Sequence, residues 1–220
     1  MSFWPCRATF LEDELRYGNE IASIAIGSGV DHLVYSSGAS VGEKSTGVAR
    51  FDSKPRIEAY ISNLPIVSTI VRPMIFMVML VRSGSGLDKG QLVSLISPDQ
   101  SMQLTAVEDI GRFVAAIFSD RQQFAGQTLK IASDTVTRLE MAATLSEVSG
   151  RPITYSRFPD RVLLQNPELR QMAASLENGP LSEHADLAIL RQINPEILSF
   201  RAWLLGPGRK ALDAALLPAP

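Results

Sequence analysis

Short apolar stretches without polar alternation are the feature of this sequence that most constrains its fold. Residues 32–35, 66–71 and 128–132 are each short and largely apolar. A strand with one solvated face alternates polar and apolar side chains, whereas a strand covered on both faces does not. Amphipathic helices are predicted at residues 11–26 and 51–61, so helices and buried strands alternate along the chain. This order predicts an α/β fold whose parallel strands are covered by helices on both faces.

The remaining segments extend this pattern and end in a mainly helical part. Further strands are predicted at residues 91–96, 104–107 and 153–158, and residues 75–81 can be helical. In the helix at residues 51–61, Asp52 or Ser53 is the expected cap and Pro55 lies in the first turn. Thr137 and Glu140 have the spacing of a capping box, which predicts another helix start.

Composition and charge exclude several classes of protein. The 21 basic and 23 acidic residues are scattered along 220 residues without a basic face, so no nucleic-acid partner is expected. The single cysteine, Cys6, excludes an internal disulfide framework and favours a reducing, cytoplasmic location. The most apolar stretch, residues 64–81, contains Arg72 and Pro73 in its middle, so no membrane span is predicted.

Motifs for common kinds of site are missing from the sequence. The glycines of residues 27–29 and 84–90 precede predicted strands, whereas a dinucleotide-binding G-x-G-x-x-G joins a strand to the helix after it. Two histidines and one cysteine give no metal-binding cluster. No Walker loop is present, and no Ser/His/Asp set has the context of a catalytic triad.

Several motifs nevertheless occur in an order and spacing that resemble one known family. They are HLVYSS at residues 32–37, FDSKPRIEAYI at 51–61, IVRPMIFM at 70–77 and LTAVEDIG at 104–111. Together they resemble the NmrA-like family of atypical short-chain dehydrogenases, over roughly residues 1–160.

The resemblance implies a partial Rossmann-like parallel sheet with a small, mainly helical C-terminal portion. Residues 1–134 would form a truncated Rossmann-like core, and residues 135–220 an α/β to helical portion on the substrate side. The first βαβαβ part of such a fold, about 60–80 residues, is expected to be missing ahead of Met1. Phe3 and Trp4 would then end the fourth strand.

The resemblance also implies NADP or NAD as cofactor and suggests where it binds. Ser36 and Ser37 end a strand at the carboxyl edge of the sheet, where open α/β folds bind ligands. Pro73 and Phe76 would approach the nicotinamide, although Val78 and Met79 stand where relatives often carry an asparagine. Asp109 is expected to cap its helix.

Lys54 is the one catalytic residue that the resemblance suggests. It matches the lysine that, in typical short-chain dehydrogenases, binds the ribose and lowers the pKa of a tyrosine four residues earlier. Arg50 occupies the tyrosine position, and an arginine stays protonated and cannot be the general acid. Lys54 could still hydrogen-bond a ribose or polarise a carbonyl.

Several functions stay open from the sequence alone. The family suggests an NAD(P)-dependent oxidoreductase or a redox-sensing regulator acting on an unknown small molecule. A non-catalytic interaction protein and a non-functional fragment are the alternatives. Without a glycine-rich loop we expect weak dinucleotide binding, and with its first strands missing we expect self-association through an exposed sheet edge.

Overall fold

The computed structural model describes residues 8–39, 49–82, 85–178 and 184–218. The chain packs as two compact units. The first comprises Met1–Arg72 and Ile117–Leu129, and the second comprises Pro73–Ala116 and Lys130–Pro220. The expected strand end at Phe3 and Trp4 lies outside the described residues. The predicted boundary after residue 134 divides the sequence by function and stays a prediction.

Helices and strands follow one another in the described residues much as the sequence predicts. The first part contains α1 Ala8–Gly27, β1 Leu33–Ser36, α2 Ala49–Ser62, β2 Ser68–Pro73, β3 Ile75–Phe76, β4 Gln91–Ser94, β5 Ser101–Thr105 and α3 Val107–Ser119. The second part contains α4 Arg121–Phe124, β6 Thr128–Ile131, β7 Asp134–Thr137, α5 Arg138–Ser149, β8 Thr154–Arg157, α6 Asp160–Gln165, α7 Pro167–Asn178, α8 Leu187–Ile193, α9 Phe200–Leu205 and α10 Arg209–Ala215. Short 3-10 helices occupy Met77–Leu80 and Leu87–Lys89.

The first unit is built on a sheet with the strand order β1-β2-β6. β1 and β2 are parallel, with Leu33 opposite Ser68 and Ser36 opposite Val71. Ile57 and Ile61 of α2 and Ala22 of α1 form a buried cluster against this sheet. The predicted parallel pairing of β1 with β2 is confirmed.

The second unit contains two small sheets and most of the core. One sheet has the order β3-β5-β7, and the other pairs β4 with β8 in parallel. β7 runs antiparallel to β5, so the sheet is mixed rather than wholly parallel. β7 is not predicted from the sequence, because Val136 is the only apolar residue in its four-residue stretch. Phe200, Trp203, Leu145 and other apolar residues form the core of this unit.

Two predictions about helices differ in detail from the structure, and a third is confirmed. α2 begins at Ala49, so Pro55 lies inside the helix, and neither Asp52 nor Ser53 is its cap. Of residues 75–81, which the sequence allows to be helical, Ile75–Phe76 form β3 and Met77–Leu80 form a 3-10 helix. The capping box of α5 is confirmed, because the Thr137 hydroxyl accepts from the Glu140 N–H and the Glu140 carboxylate accepts from the Thr137 N–H.

Asp109 is a buried hydrogen-bonding centre of the second unit rather than a helix cap. It is the third residue of α3, and its side chain is 0% exposed. Its carboxylate accepts hydrogen bonds from the Ser133 hydroxyl at 2.7 Å, the Leu198 N–H at 3.0 Å and the Asn194 amide at 3.4 Å, and it pairs with Arg112 at 3.1 Å. The carboxylate thus joins three separate segments of this unit.

The described residues contain no helix long and apolar enough to cross a membrane. The same part of the chain contains no group of three or more His, Cys, Asp or Glu side chains placed to hold a metal ion.

Candidate functional site

Ser36 and Ser37 lie at the carboxyl end of β1, beside the end of β2. The strand hydrogen bonding continues past β1, since the Ser37 N–H donates to the Val71 carbonyl at 2.7 Å. Ser36 is exposed, whereas Ser37 is buried and its hydroxyl has no hydrogen-bond partner among residues 8–39, 49–82, 85–178 and 184–218. A buried hydroxyl without a partner costs free energy, so Ser37 offers a polar group that a ligand could satisfy.

Lys54 is held by an acidic residue of the neighbouring helix. Its ammonium contacts one carboxylate oxygen of Glu14 on α1, and the Ser53 hydroxyl donates to the other oxygen at 2.5 Å. The Lys54 and Glu14 side chains are only 25% and 22% exposed. Ser53 and Lys54 of α2 therefore both bind the carboxylate of Glu14 on α1, and this carboxylate neutralises the charge of Lys54. Among the described residues, no hydrogen bond joins Lys54 to Ser36 or Ser37.

A second ion pair joins α2 to the end of β2. Arg72 donates from Nε and Nη2 to the two oxygens of Glu58, at 3.1 and 2.5 Å. Both side chains are largely buried, and a bidentate arrangement of this kind is strong and directional. Neither the Lys54–Glu14 pair nor the Arg72–Glu58 pair is predicted from the sequence. The available signal was that Glu58 flanks the apolar stripe of Ile57 and Ile61, where a carboxylate needs a partner.

Tyr35 of the first unit is half-buried and lies close to the carboxylates of Glu14 and Glu58. Its buried hydroxyl has no hydrogen-bond partner within the described part of the chain, and burial, together with the charges of Glu14 and Glu58, raises the pKa of Tyr35. A phenol in this environment stays protonated at neutral pH. It therefore lacks the lowered pKa of the tyrosine in the Tyr–Lys pair of typical short-chain dehydrogenases.

The other three of the four tyrosines lie elsewhere. Tyr17 is exposed on α1, the Tyr60 hydroxyl contacts the Ser23 hydroxyl at 2.8 Å, and Tyr155 donates to the Ile96 carbonyl. All four tyrosines are within the described residues, and none is hydrogen-bonded to Lys54.

His32 directly precedes β1, and its hydrogen bond to Thr69 holds it in one tautomer. The Thr69 hydroxyl donates to the Phe124 carbonyl at 2.7 Å, so it accepts from Nε2 of His32 at 2.8 Å. Nδ1 is then the unprotonated nitrogen, and it is buried without a partner. Burial lowers the pKa of this imidazole, and the charge of Arg121 lowers it further.

Pro73 and Phe76 belong to the second unit. Pro73 is buried at the end of β2, and Phe76 is half-buried in β3 opposite Thr105 of β5. Val78 and Met79 are exposed on the following 3-10 helix. A role of Pro73 or Phe76 at a nicotinamide stays a prediction.

The described glycines of the two segments without the dinucleotide-binding motif lie at helix ends and turns. α1 ends at Gly27, and Gly29 follows with φ of 70°. Gly86 and Gly90, with φ of 93° and 68°, flank the 3-10 helix Leu87–Lys89. Only glycine adopts such angles easily, so these residues close turns.

Comparison with known proteins settles the family. The family model described as "NmrA-like family" matches residues 3–183. The chain belongs to the NmrA-like family. The resemblance seen in the sequence motifs is therefore confirmed.

Two curated proteins are similar to this NmrA-like chain. It is 26% identical over 167 residues to an NmrA-like family domain-containing protein of Dictyostelium discoideum, covering 70% of this chain and 55% of that protein. It is 28% identical over 178 residues to the nitrogen metabolite repression protein nmr of Neurospora crassa, covering 73% of this chain and 36% of that protein. The chain thus spans about half or less of the length of these relatives.

Solved structures share the fold of this NmrA-like chain. The negative transcriptional regulator NmrA in complex with NAD has a TM-score of 0.70 at 18% identity, covering 94% of this chain and 73% of that one. A triphenylmethane reductase of Citrobacter sp. has a TM-score of 0.70 at 18% identity, covering 98% of this chain and 74% of that one. These likenesses confirm the Rossmann-like α/β fold.

Proposed function

We propose that this NmrA-like chain belongs to an NAD(P)-binding, redox-sensing regulator rather than to a reductase. The observation that carries the proposal is the contact between Lys54 and Glu14, made without any tyrosine hydrogen-bonded to the lysine. A general acid works best with a pKa near the working pH. Tyr35, whose pKa is raised, and Arg50, which stays protonated, are both poor replacements for the tyrosine of typical short-chain dehydrogenases.

Binding of the dinucleotide would use the carboxyl edge of β1 and β2. The unpartnered Ser37 hydroxyl and the exposed Ser36 lie at that edge and could hydrogen-bond a ribose or a carboxamide. An ammonium carries three donors, and Glu14 takes only one from Lys54, so two remain for ribose hydroxyls. Pro73 and Phe76 are proposed to contact the nicotinamide. The regulator NmrA, which shares this fold, has been solved with NAD and with NADP.

A nucleotide titration combined with a turnover assay tests the proposal. NAD⁺, NADH, NADP⁺ and NADPH are titrated separately into the chain by calorimetry. Because the chain contains no G-x-G-x-x-G to hold the pyrophosphate, we expect dissociation constants near 1 mM, about 4 kcal/mol of binding. A sensor further requires that the oxidised and reduced forms differ in affinity. Equal affinities, or no binding of any of the four nucleotides, would contradict the proposal.

An NAD(P)-dependent oxidoreductase is the second candidate, because the similar triphenylmethane reductase is a reductase by name and has been solved with NADP(H). The assay follows NADPH and NADH absorbance with a triphenylmethane dye present. We expect no oxidation above the rate without protein. Turnover that is lost in Lys54→Ala would favour the oxidoreductase over the sensor.

A further inference from the structure

Arg138 is a buried arginine of the second unit that has no acidic partner among the described residues. It is the first residue of α5 and is 4% exposed. Its Nη1 donates to the sulfur of Met141 at 3.1 Å, and its buried Nε has no hydrogen-bond partner in the part of the chain that the structure describes. A thioether is a weak acceptor, so this contact does little for a cation. Buried charges in proteins are normally paired and hydrogen-bonded, because an unpaired buried charge costs several kcal/mol.

No carboxylate among the described residues compensates the charge of Arg138. Arg138 and Arg157 both act electrostatically on the phenol of Tyr155, as does the carboxylate of Glu177. That carboxylate is paired with Arg157 at 2.9 Å. The acid nearest to Arg138 in sequence, Glu140, is exposed and is turned to Thr137 in the capping box. The positive end of the α5 dipole also lies here.

The group formed by Arg138, Tyr155 and Arg157 lies beside the carboxyl ends of the parallel strands β4 and β8. β4 and β8 are parallel, with Ser94 opposite Arg157 at their carboxyl ends. Tyr155 and Arg157 of β8 reach the carbonyls of Ile96 and Leu95, the residues just after β4. Crevices outside the carboxyl ends of parallel strands are the usual ligand sites of open α/β sheets. Burial also lowers the pKa of the Arg138 guanidinium to about 10, as expected where no anion compensates its charge.

We propose that Arg138 binds the oxyanion of a small molecule, a carboxylate or a phosphate group, beside the carboxyl ends of β4 and β8. A guanidinium presents a planar fork of donors that matches two oxygens of such a group, and the unused Nε is one arm of that fork. Because Arg138 is nearly inaccessible, the anion enters when the covering residues move. This site lies within the second unit, and it does not depend on how the chain handles a dinucleotide.

Anion-dependent melting of the whole chain tests the proposal. Wild type is melted in a chloride buffer and then with sodium phosphate or sodium acetate added at matched ionic strength. We expect one of these anions to raise Tm by about 2–4 °C, as a ligand of the folded state does at a few times its dissociation constant. Phosphate alone would identify a phosphate ligand, and acetate alone a carboxylate. No shift with either anion would overturn the proposal.

Matched variants assign the shift to Arg138. Arg138→Met keeps the apolar stem, and we expect it to lose the anion-dependent shift while melting at or above the wild-type Tm in chloride. Arg151→Met is the control, because Arg151 of the same unit donates to the Leu216 carbonyl and should keep the full shift when replaced. If Arg138→Met fails to fold, Arg138→Lys is the second variant, because it keeps the charge but lacks the planar donors of the guanidinium. We expect Arg138→Lys to show less than half of the wild-type anion-dependent shift in Tm. A full shift in either Arg138 variant would overturn the proposal.

Discussion

Replacing Asp109 by asparagine is the sharpest test of how the second unit is held together. The change keeps the shape of the side chain and removes its charge. In wild type, the fully buried carboxylate accepts from the Ser133 hydroxyl, the Leu198 N–H and the Asn194 amide, and it pairs with Arg112. An asparagine amide has one accepting oxygen, and its NH₂ group would face hydrogen-bond donors where wild type offers them a second accepting oxygen.

The size of the effect follows from these bonds. A hydrogen bond to a charged group contributes about 1.5–3 kcal/mol, and removing one partner of a buried charged network costs about 3–5 kcal/mol. Asp109→Asn retains part of the network, so we expect a loss of about 2–4 kcal/mol in the free energy of unfolding. At about 2–4 °C per kcal/mol for a chain of this length, Tm should fall by roughly 4–16 °C.

Thermal and urea unfolding measure this loss, with Asp213→Asn as the control. Asp213 pairs with Arg209 on the surface, where both side chains are about half exposed, so its loss should cost less than about 1 kcal/mol. Combining Asp109→Asn with Ser133→Ala should give less than the sum of the single changes, because both remove the same 2.7 Å bond. An Asp109→Asn protein that melts within about 2 °C of wild type would refute the reasoning.

Four other predictions concern stability and assembly. Lys54→Met should lower the free energy of unfolding by about 1–2 kcal/mol, a value between those of exposed and buried ion pairs. Replacing the exposed Arg56 should change it little, and equal effects of the two substitutions would argue against the contact between Lys54 and Glu14. Because burial lowers the pKa of His32, the neutral form favours the folded state, so stability is full above about pH 6.5 and falls below it. His32→Gln should flatten that acid limb in urea titrations. Thr137→Ala should cost about 1 kcal/mol through loss of the capping box, whereas Thr144→Ala in the same helix, which leaves the cap intact, should cost less. Within the described residues β1 pairs only with β2, so we predict self-association through the open edge of β1; light scattering that finds a cooperatively melting monomer at all concentrations would contradict it.

The order of elements could be predicted because its signals are local. The apolar run around Val34 predicted β1, and the spacing of Thr137 and Glu140 predicted the start of α5 with its capping box. The family, too, could be identified from short motifs of consecutive residues. Each of these features depends on the chain within a few residues of itself.

The chemistry around Lys54 could not be predicted in the same way. Its partner, Glu14, is 40 positions earlier in the sequence, and nothing in the acidic start of α1 singles that residue out. Asp109 was expected to cap α3, but its carboxylate instead bonds Leu198, 89 positions later. Partners at such separations are chosen by tertiary packing, which a single sequence does not contain.

Thr137 belongs to two elements at once, and this has a consequence for how the second unit opens. It is the last residue of β7, opposite Ser101 of β5, and its side chain caps α5. The next two N–H groups, of Arg138 and Leu139, donate to the Pro98 carbonyl in the loop before β5. Separating β7 from β5 therefore also uncaps the helix. In hydrogen exchange, the amides of β7 and of the first turn of α5 should gain and lose protection together, as one cooperative unit.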